Sequence, residues 1–316
     1  MSKTILITGG SGFIGANLAR ALAAGTDRIF ICARKKSDMW RLQGLDKAIS
    51  IHYADMMDAE SIRLAVLATR PNIVYHLATF GAYSYQKDTE TIMRTNILGS
   101  VALFEALRDT EAASSIINVG STSEYGFKEN PMKEIDILEP NTTYGVAKAA
   151  QTHFATMYAS VYQLPVITLR LSLVYGPYEE AGRLIPDIME ALVKNETLKL
   201  ASPEPRRDFV FVEDVVLALQ KAVERAQVPG SIFNIGSGVD YSVHDVVKKA
   251  CSVIGRQVPL RWGSEDKKRS YNAAVNWIAD VSKAREQLCW QPIHTLEGGL
   301  LKTYTWYNEN THFYNQ

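Results

Sequence analysis

The 316 residues include only three cysteines, Cys32, Cys251 and Cys289. They are odd in number and widely spaced, with no C-x-x-C pair, so neither a disulfide framework nor a zinc site is expected, and a reducing compartment fits. Charge of one sign is also missing: 34 Lys plus Arg balance 34 Asp plus Glu. Nucleic-acid binders usually carry a basic excess, so no nucleic-acid partner is expected. No apolar run is long. Ile5-Leu6-Ile7 soon meets glycines, too short a stretch for a signal core or a membrane span, which predicts a cytoplasmic protein with no membrane partner. Repeats, low-complexity tracts and long charge blocks are absent. What is there, 47% apolar and 22% charged residues, is the composition of an ordered globular chain. At roughly 150 residues per domain the length predicts two domains, with enough chain to bury a substantial core.

The first half alternates short apolar runs with helical patterns. Residues 3–8, 28–33, 49–53, 73–77, 115–119 and 166–171 read as strands, and 12–24, 58–69, 89–107 and 143–162 as helices. Fully apolar strands alternating with helices imply an α/β fold with a doubly wound parallel sheet covered on both faces and right-handed crossovers. After Tyr175-Gly176-Pro177 the pattern loosens around Pro186, Pro203 and Pro205. Short strands at 209–212 and 231–235 then mix with helices at 242–254, 281–288 and 296–308. Ser242, with Asp245 three residues on, predicts an N-cap.

The first strand runs into Thr8-Gly9-Gly10-Ser11-Gly12-Phe13-Ile14-Gly15. Glycines between a strand and a helix let the backbone approach a pyrophosphate, and the helix N-terminus offers free N–H groups and a positive dipole end. With the right flanks and all within the first 35 residues, this predicts a Rossmann dinucleotide-binding domain. Its expected extent is 1–172 plus 206–235. Residues 173–205 and 236–316 would form a smaller C-terminal mixed α/β substrate domain. The second strand ends in Cys32-Ala33-Arg34-Lys35-Lys36-Ser37, with no acid before Asp38. NAD sites place an acid there for the ribose 2′-hydroxyl, and NADP sites an Arg for the 2′-phosphate. Arg34, with Lys35 beside it, therefore favours NADP(H) over NAD(H).

Tyr144 and Lys148, four apart near the start of a helix, share one face. A cation beside a phenol lowers its pKa, which suits a proton shuttle during hydride transfer. Upstream, Gly120-Ser121-Thr122-Ser123-Glu124-Tyr125-Gly126 follows a strand at its C-terminal end, where open α/β sheets bind ligands, so a hydroxyl there can meet the same substrate oxygen.

Together these residues resemble the extended short-chain dehydrogenase/reductase family, in its nucleotide-sugar epimerase/dehydratase branch. The likeness runs through His76-Leu77-Ala78, Asn96-Ile97-x-Gly99, Tyr144-x-x-x-Lys148, Arg170-Leu171-x-x-Val174-Tyr175-Gly176-Pro177, Arg207-Asp208-Phe209-Val210, Asp280 and Trp290-x-Pro292. It implies a catalytic set of Thr122, Tyr144 and Lys148, with Ser123 and Glu124 beside it. For the cofactor it implies Gly9, Gly12, Phe13, Ile14 and Gly15, then Asp55 and Met56 near the adenine and Leu77 and Ala78 near the nicotinamide. For a nucleotide-diphosphate sugar it implies Tyr83, Arg183, Arg207 and Arg269, and for assembly a homodimer through the helices at 89–107 and 143–162. The chain departs from the family at Leu173, where an Asn is usual, at Arg269-Ser270-Tyr271-Asn272, and at Ser123, which stands where 4,6-dehydratases have an acid. The resemblance thus implies hydride exchange at sugar C4, by an NADP(H)-dependent 4-keto-6-deoxysugar reductase or a C4 epimerase. A 4,6-dehydratase using Glu124 as base is one alternative, and a non-catalytic dinucleotide-sensing regulator on the same fold is another.

Overall fold

A computed structural model describes residues 2–225, 228–263 and 277–314. In chain order the elements are β1 (Thr4–Thr8), α1 (Phe13–Leu22), β2 (Arg28–Ala33), β3 (Ile49–Tyr53), α2 (Ala59–Thr69), β4 (Ile73–His76), α3 (Thr89–Met93), α4 (Gly99–Thr110), β5 (Ser115–Ser121), α5 (Thr143–Tyr162) and β6 (Val166–Leu171). There follow β7 (Leu173–Tyr175), α6 (Leu184–Lys194), β8 (Leu198–Lys199), β9 (Arg206–Phe211), α7 (Val212–Arg225), β10 (Ile232–Ile235), β11 (Asp240–Ser242), α8 (Val243–Ile254), β12 (Leu260–Arg261), α9 (Ser282–Gln287) and α10 (Leu296–Glu309). Seven strands form one parallel sheet in the order β3-β2-β1-β4-β5-β6-β10.

That sheet follows from the strand composition. Along β1 every residue is buried. Because successive side chains point to opposite faces, Ile5 and Ile7 enter one apolar core while Leu6 enters a second core on the other side. Helices α1 and α7 pack together, and α2, α4 and α5 contact one another in sequence. Strand order reverses between β1 and β4, so the C-terminal ends of these neighbours open a crevice.

The segment 206–235, expected to rejoin the large sheet whole, divides. Its last strand, β10, does pair with β6, but β9 lies between β7 and β11 in a separate three-stranded sheet. The physical reason is Ser172: one residue after β6 the chain starts β7, which turns away from the large sheet and takes β9 as its parallel partner. The helix expected at 89–107 is interrupted by a π-helical turn at Arg94–Leu98. Ser242 and Asp245 form the reciprocal cap expected of them. Among the described residues no helix is long and apolar enough to cross a membrane.

Candidate active site

One cavity of about 1100 Å³ runs from the β1–α1 turn, past the ends of β4 and β5, to the β7–α6 loop. At the first end Gly9 has φ +68°, and a Cβ there would lie 2.6 Å from Ala78 N. A Cβ on Gly15 would collide with Gly9 O. Helix α1 starts from Gly12 with no side-chain cap, so its first N–H groups face the cavity through a gap that only glycines leave open. These features fit the pyrophosphate of a dinucleotide. Phe13 and Ile14 line the same end, with Asp55, Met56, Arg34 and Ser37. Lys35, paired with Arg34 in the sequence reading, is exposed and does not line the cavity, because the chain turns at 35–36 and carries it outward.

A buried relay sets the middle of the cavity. Ala78 N donates to Thr8 Oγ1 at 3.2 Å, and Thr8 Oγ1 meets His76 Nδ1 at 2.7 Å. His76 Nε2 meets Ser100 Oγ at 2.8 Å, and Ser100 Oγ donates to Asn96 O at 2.6 Å. Because Ser100 spends its proton on Asn96, His76 donates from Nε2, and in its neutral form it accepts from Thr8 at Nδ1. Burial supports that state, pushing His76 down to about 3. Asn96, in the π-turn, accepts from Phe80 N at 2.9 Å and donates to Phe80 O at 2.7 Å. The π-turn therefore exists to face Asn96 into the loop after β4, the loop that carries Leu77, Ala78 and Thr79 along the cavity wall.

Tyr144 enters from the first turn of α5, which Thr142 caps through Gly145 N at 3.0 Å. Its phenol is pushed above the ordinary tyrosine range, chiefly by burial and further by Glu124, while the side chains of Thr79 and Ser121 and the charge of Arg183 pull it back. Burial therefore outweighs the groups that lower it. The Lys148 ammonium donates to Val119 O and Gln151 Oε1, and burial draws it down to about 8. The expected acidification of the phenol by its lysine neighbour is thus corrected: both side chains line the cavity, but the cation is turned toward the end of β5.

The hydroxyl facing the phenol is also not the expected one. Thr122 Oγ1 donates to Leu171 O at 3.3 Å and accepts from Trp277 Nε1 at 2.9 Å, so its hydrogen bonding is spent on the cavity wall. Ser121, the last residue of β5, faces Tyr144 together with Thr79, whose hydroxyl proton is already donated to Asn96 Oδ1 at 3.1 Å. Ser121 Oγ accepts from Ser123 N at 3.1 Å, which leaves the hydroxyl proton to point elsewhere. The signal for this lay in the sequence: Ser121-x-x-Glu124 is a capping box, and the structure closes it, Ser121 N donating to Glu124 Oε1 at 2.8 Å. The box accounts for Glu124 as well. That carboxylate is fully buried and takes Arg170 Nε at 2.7 Å, so the expected base is committed to a buried ion pair and does not line the cavity. Ser123 does line it.

The far end is formed by Tyr83, Glu179, Arg183, Arg207 and Trp277. The Arg183 guanidinium lies 5.5 Å from the Tyr83 ring, and that of Arg207 lies 5.2 Å from the Trp277 ring. Trp277 and Glu179 had no place in the sequence reading. Arg269 lies outside the described residues.

A family model described as the NAD dependent epimerase/dehydratase family matches residues 5–236. The dTDP-glucose 4,6-dehydratase of Shigella flexneri is 28% identical, over 98% of this chain and 94% of that protein. Among solved structures, the UDP-glucose 4-epimerase of Thermotoga maritima, with UDP-glucose, is 26% identical with a TM-score of 0.87, covering 97% of this chain and 99% of that one. An epimerase of Methanothermobacter thermautotrophicus shares the fold at TM-score 0.89 and 24% identity, covering 99% of this chain and 94% of that one.

Proposed function

The chain belongs to the NAD-dependent epimerase/dehydratase family of enzymes, and from that premise we propose that it transfers hydride at C4 of a nucleotide-diphosphate sugar, as a 4-keto-6-deoxysugar reductase or a C4 epimerase. The observation that carries this reading is the meeting of Tyr144 and Ser121 on a cavity whose other end is the glycine turn. Gly9, Gly12, Gly15 and the N-terminus of α1 would hold the dinucleotide phosphates, and Asp55, Leu77, Ala78 and Lys148 its remaining parts. A bound nicotinamide supplies the hydride carrier. The chain's own residues do the rest. Tyr144 holds or releases one proton at its phenolic oxygen, opposite the sugar hydroxyl. Ser121 orients that hydroxyl. The neutral His76 relay keeps the Ala78 wall in place, and Arg207 and Arg183 supply cations for the diphosphate and the sugar end.

NADP(H) is the favoured cofactor in this reading, because Arg34 lines the cavity at the end of β2 and Ala33 stands where an acid would repel a 2′-phosphate. The names of the curated relatives favour a second reading, a 4,6-dehydratase. That reaction needs a base beside the ketone, and Glu124 is occupied by Arg170, which ranks it behind the first. The deciding experiment incubates the enzyme with a panel of nucleotide sugars and their 4-keto derivatives, with NADPH, with NADH and with neither, and analyses products by NMR. NADPH consumption supports the reductase. Conversion without net consumption supports an epimerase, and a new 6-methyl signal the dehydratase. Turnover retained in Tyr144→Phe would remove the mechanism.

A further inference from the structure

The β7–α6 loop carries a carboxylate whose environment is incomplete. Glu179 is 4% exposed and lines the cavity. Its Oε1 faces Arg183 Nε at 3.5 Å, while its buried Oε2 has no hydrogen-bond partner among the described residues. A buried carboxylate oxygen without a donor is costly, and that burial pushes Glu179 up to about 7.

The chain nevertheless holds this group in place from three directions. Asn17 Nδ2 on α1 donates to Pro177 O at 2.9 Å, Arg41 Nε to Tyr178 O at 2.8 Å, and Tyr314 Oη near the C-terminus to Glu179 O at 2.8 Å. Arg41 also pairs with Glu180 at 2.6 Å. Tyr178, between them, has φ +71°, a conformation that side chains other than glycine rarely adopt. Strain maintained by surrounding contacts is characteristic of ligand-binding segments. The position is near the reactive end of the cavity: Arg183, the partner of Glu179, is one of the charges felt by the Tyr144 phenol, and its guanidinium stacks on Tyr83.

Resting on the nucleotide-sugar reading above, we propose that Glu179 is a specificity-determining residue: its Oε2 accepts a hydrogen bond from a hydroxyl of the bound glycosyl group, so the site takes nucleotide-linked neutral hexoses and rejects uronic acids. Arg183 already balances the carboxylate through Oε1, so the open oxygen calls for a neutral donor. A sugar hydroxyl is that donor. Above about pH 8, where Glu179 is ionised, a sugar carboxylate placed there would meet Oε2 with like charge.

The test measures binding of UDP, UDP-glucose and UDP-glucuronate, and of dTDP and dTDP-glucose, by calorimetry above about pH 8, where Glu179 is ionised, on the NADP⁺-loaded enzyme and its Glu179→Ala and Glu179→Gln variants. The wild type should bind UDP-glucose or dTDP-glucose more tightly than the matching diphosphate, and UDP-glucuronate no better than UDP. Glu179→Ala should lose about tenfold to a hundredfold of the glucose increment while keeping its diphosphate affinity, which also reports an intact fold. Glu179→Gln retains an acceptor oxygen without the charge, so it should keep the glucose increment and gain at least about tenfold toward UDP-glucuronate. An unchanged increment in Glu179→Ala, or a wild type that binds UDP-glucuronate as tightly as UDP-glucose, would overturn the role of Glu179. A wild type that binds neither diphosphate nor either sugar series would instead overturn the nucleotide-sugar reading beneath it.

Discussion

Ser121 and Thr122 are adjacent hydroxyls with opposite fates, and the difference can be measured. Ser121 ends β5 and faces the phenol, whereas Thr122 is tied to Leu171 O and Trp277. Ser121→Ala should therefore lower kcat by about tenfold to a hundredfold, with the loss of about 1 kcal/mol of stability that removal of an N-cap brings. Thr122→Ala should leave kcat within about threefold and lower the melting temperature, because it removes the partner of the half-buried Trp277 N–H. Steady-state kinetics and thermal denaturation on both variants check the assignment, and the reverse pattern would restore Thr122. Glu179 offers a second residue-scale test through pH. Its folded-state pKa is raised from 4.5 to about 7, by burial first and Asp187 weakly, against Arg183 and the Gly176 backbone N–H. The stability that the neutral carboxyl contributes is fully present below the unfolded value and is lost as pH rises through about 7. Glu179→Gln cannot titrate. The stability of the wild type relative to this variant should fall between pH 4.5 and 8, by on the order of 3 kcal/mol, in denaturant titrations across that range.

At the scale of elements, the turn after β5 depends on a buried network that joins three strands. Arg170 on β6 holds Glu124 at 2.7 Å and Tyr125 Oη at 2.9 Å, and Tyr125 Oη donates to Asn234 Oδ1 on β10 at 2.7 Å. A Cβ on Gly120 would lie 2.5 Å from Glu124 Oε1, so that glycine is what allows the carboxylate to tuck under the turn. Removing one partner of a buried pair leaves the other charge uncompensated, at a cost of about 3–5 kcal/mol. Glu124→Ala should destabilise the fold by about that much, and Glu124→Ala combined with Arg170→Met should be less destabilised than the sum of the two single changes. Chemical denaturation of the four proteins in the cycle checks this; additivity would mean that the pair is not coupled. The interrupted helix at 89–107 belongs to the same scale. Its apolar spacing predicts one continuous helix. The insertion at Arg94–Leu98 follows from the hydrogen bonds of Asn96 to Phe80, a partner sixteen residues away that periodicity does not register.

At the scale of the whole molecule, Met93, Leu98, Val146, Val161 and Tyr162 are exposed apolar residues on α3, the π-turn and α5. Large exposed apolar groups on neighbouring elements mark interaction surfaces. The homodimer we propose on this face should give a light-scattering mass near twice the chain's 35.2 kDa, and Leu98→Glu with Val161→Glu should reduce it to the monomer. A monomeric wild type at micromolar concentration would remove the proposal.

The amino-acid order by itself determined the parallel sheet, the glycine turn between β1 and α1, the Ser242 cap and the Tyr144–Lys148 face. Each of these is a local property: strand hydrophobicity, the missing Cβ of Gly9 and Gly15, or spacing within one helix. The return of the strand at 231–235 to the large sheet was also legible, whereas the strand order came from the structure. Only the tertiary structure decided which of three consecutive hydroxyl residues faces the phenol, that Lys148 turns to Val119 O, that Glu124 is committed to Arg170, and that Glu179 stands open in the cavity. These outcomes depend on Leu171, Trp277, Arg170, Asn17, Arg41 and Tyr314, which lie up to 160 residues from the groups they direct. Hydrogen-bond competition between segments so far apart is settled by packing, and no periodicity along the chain encodes it.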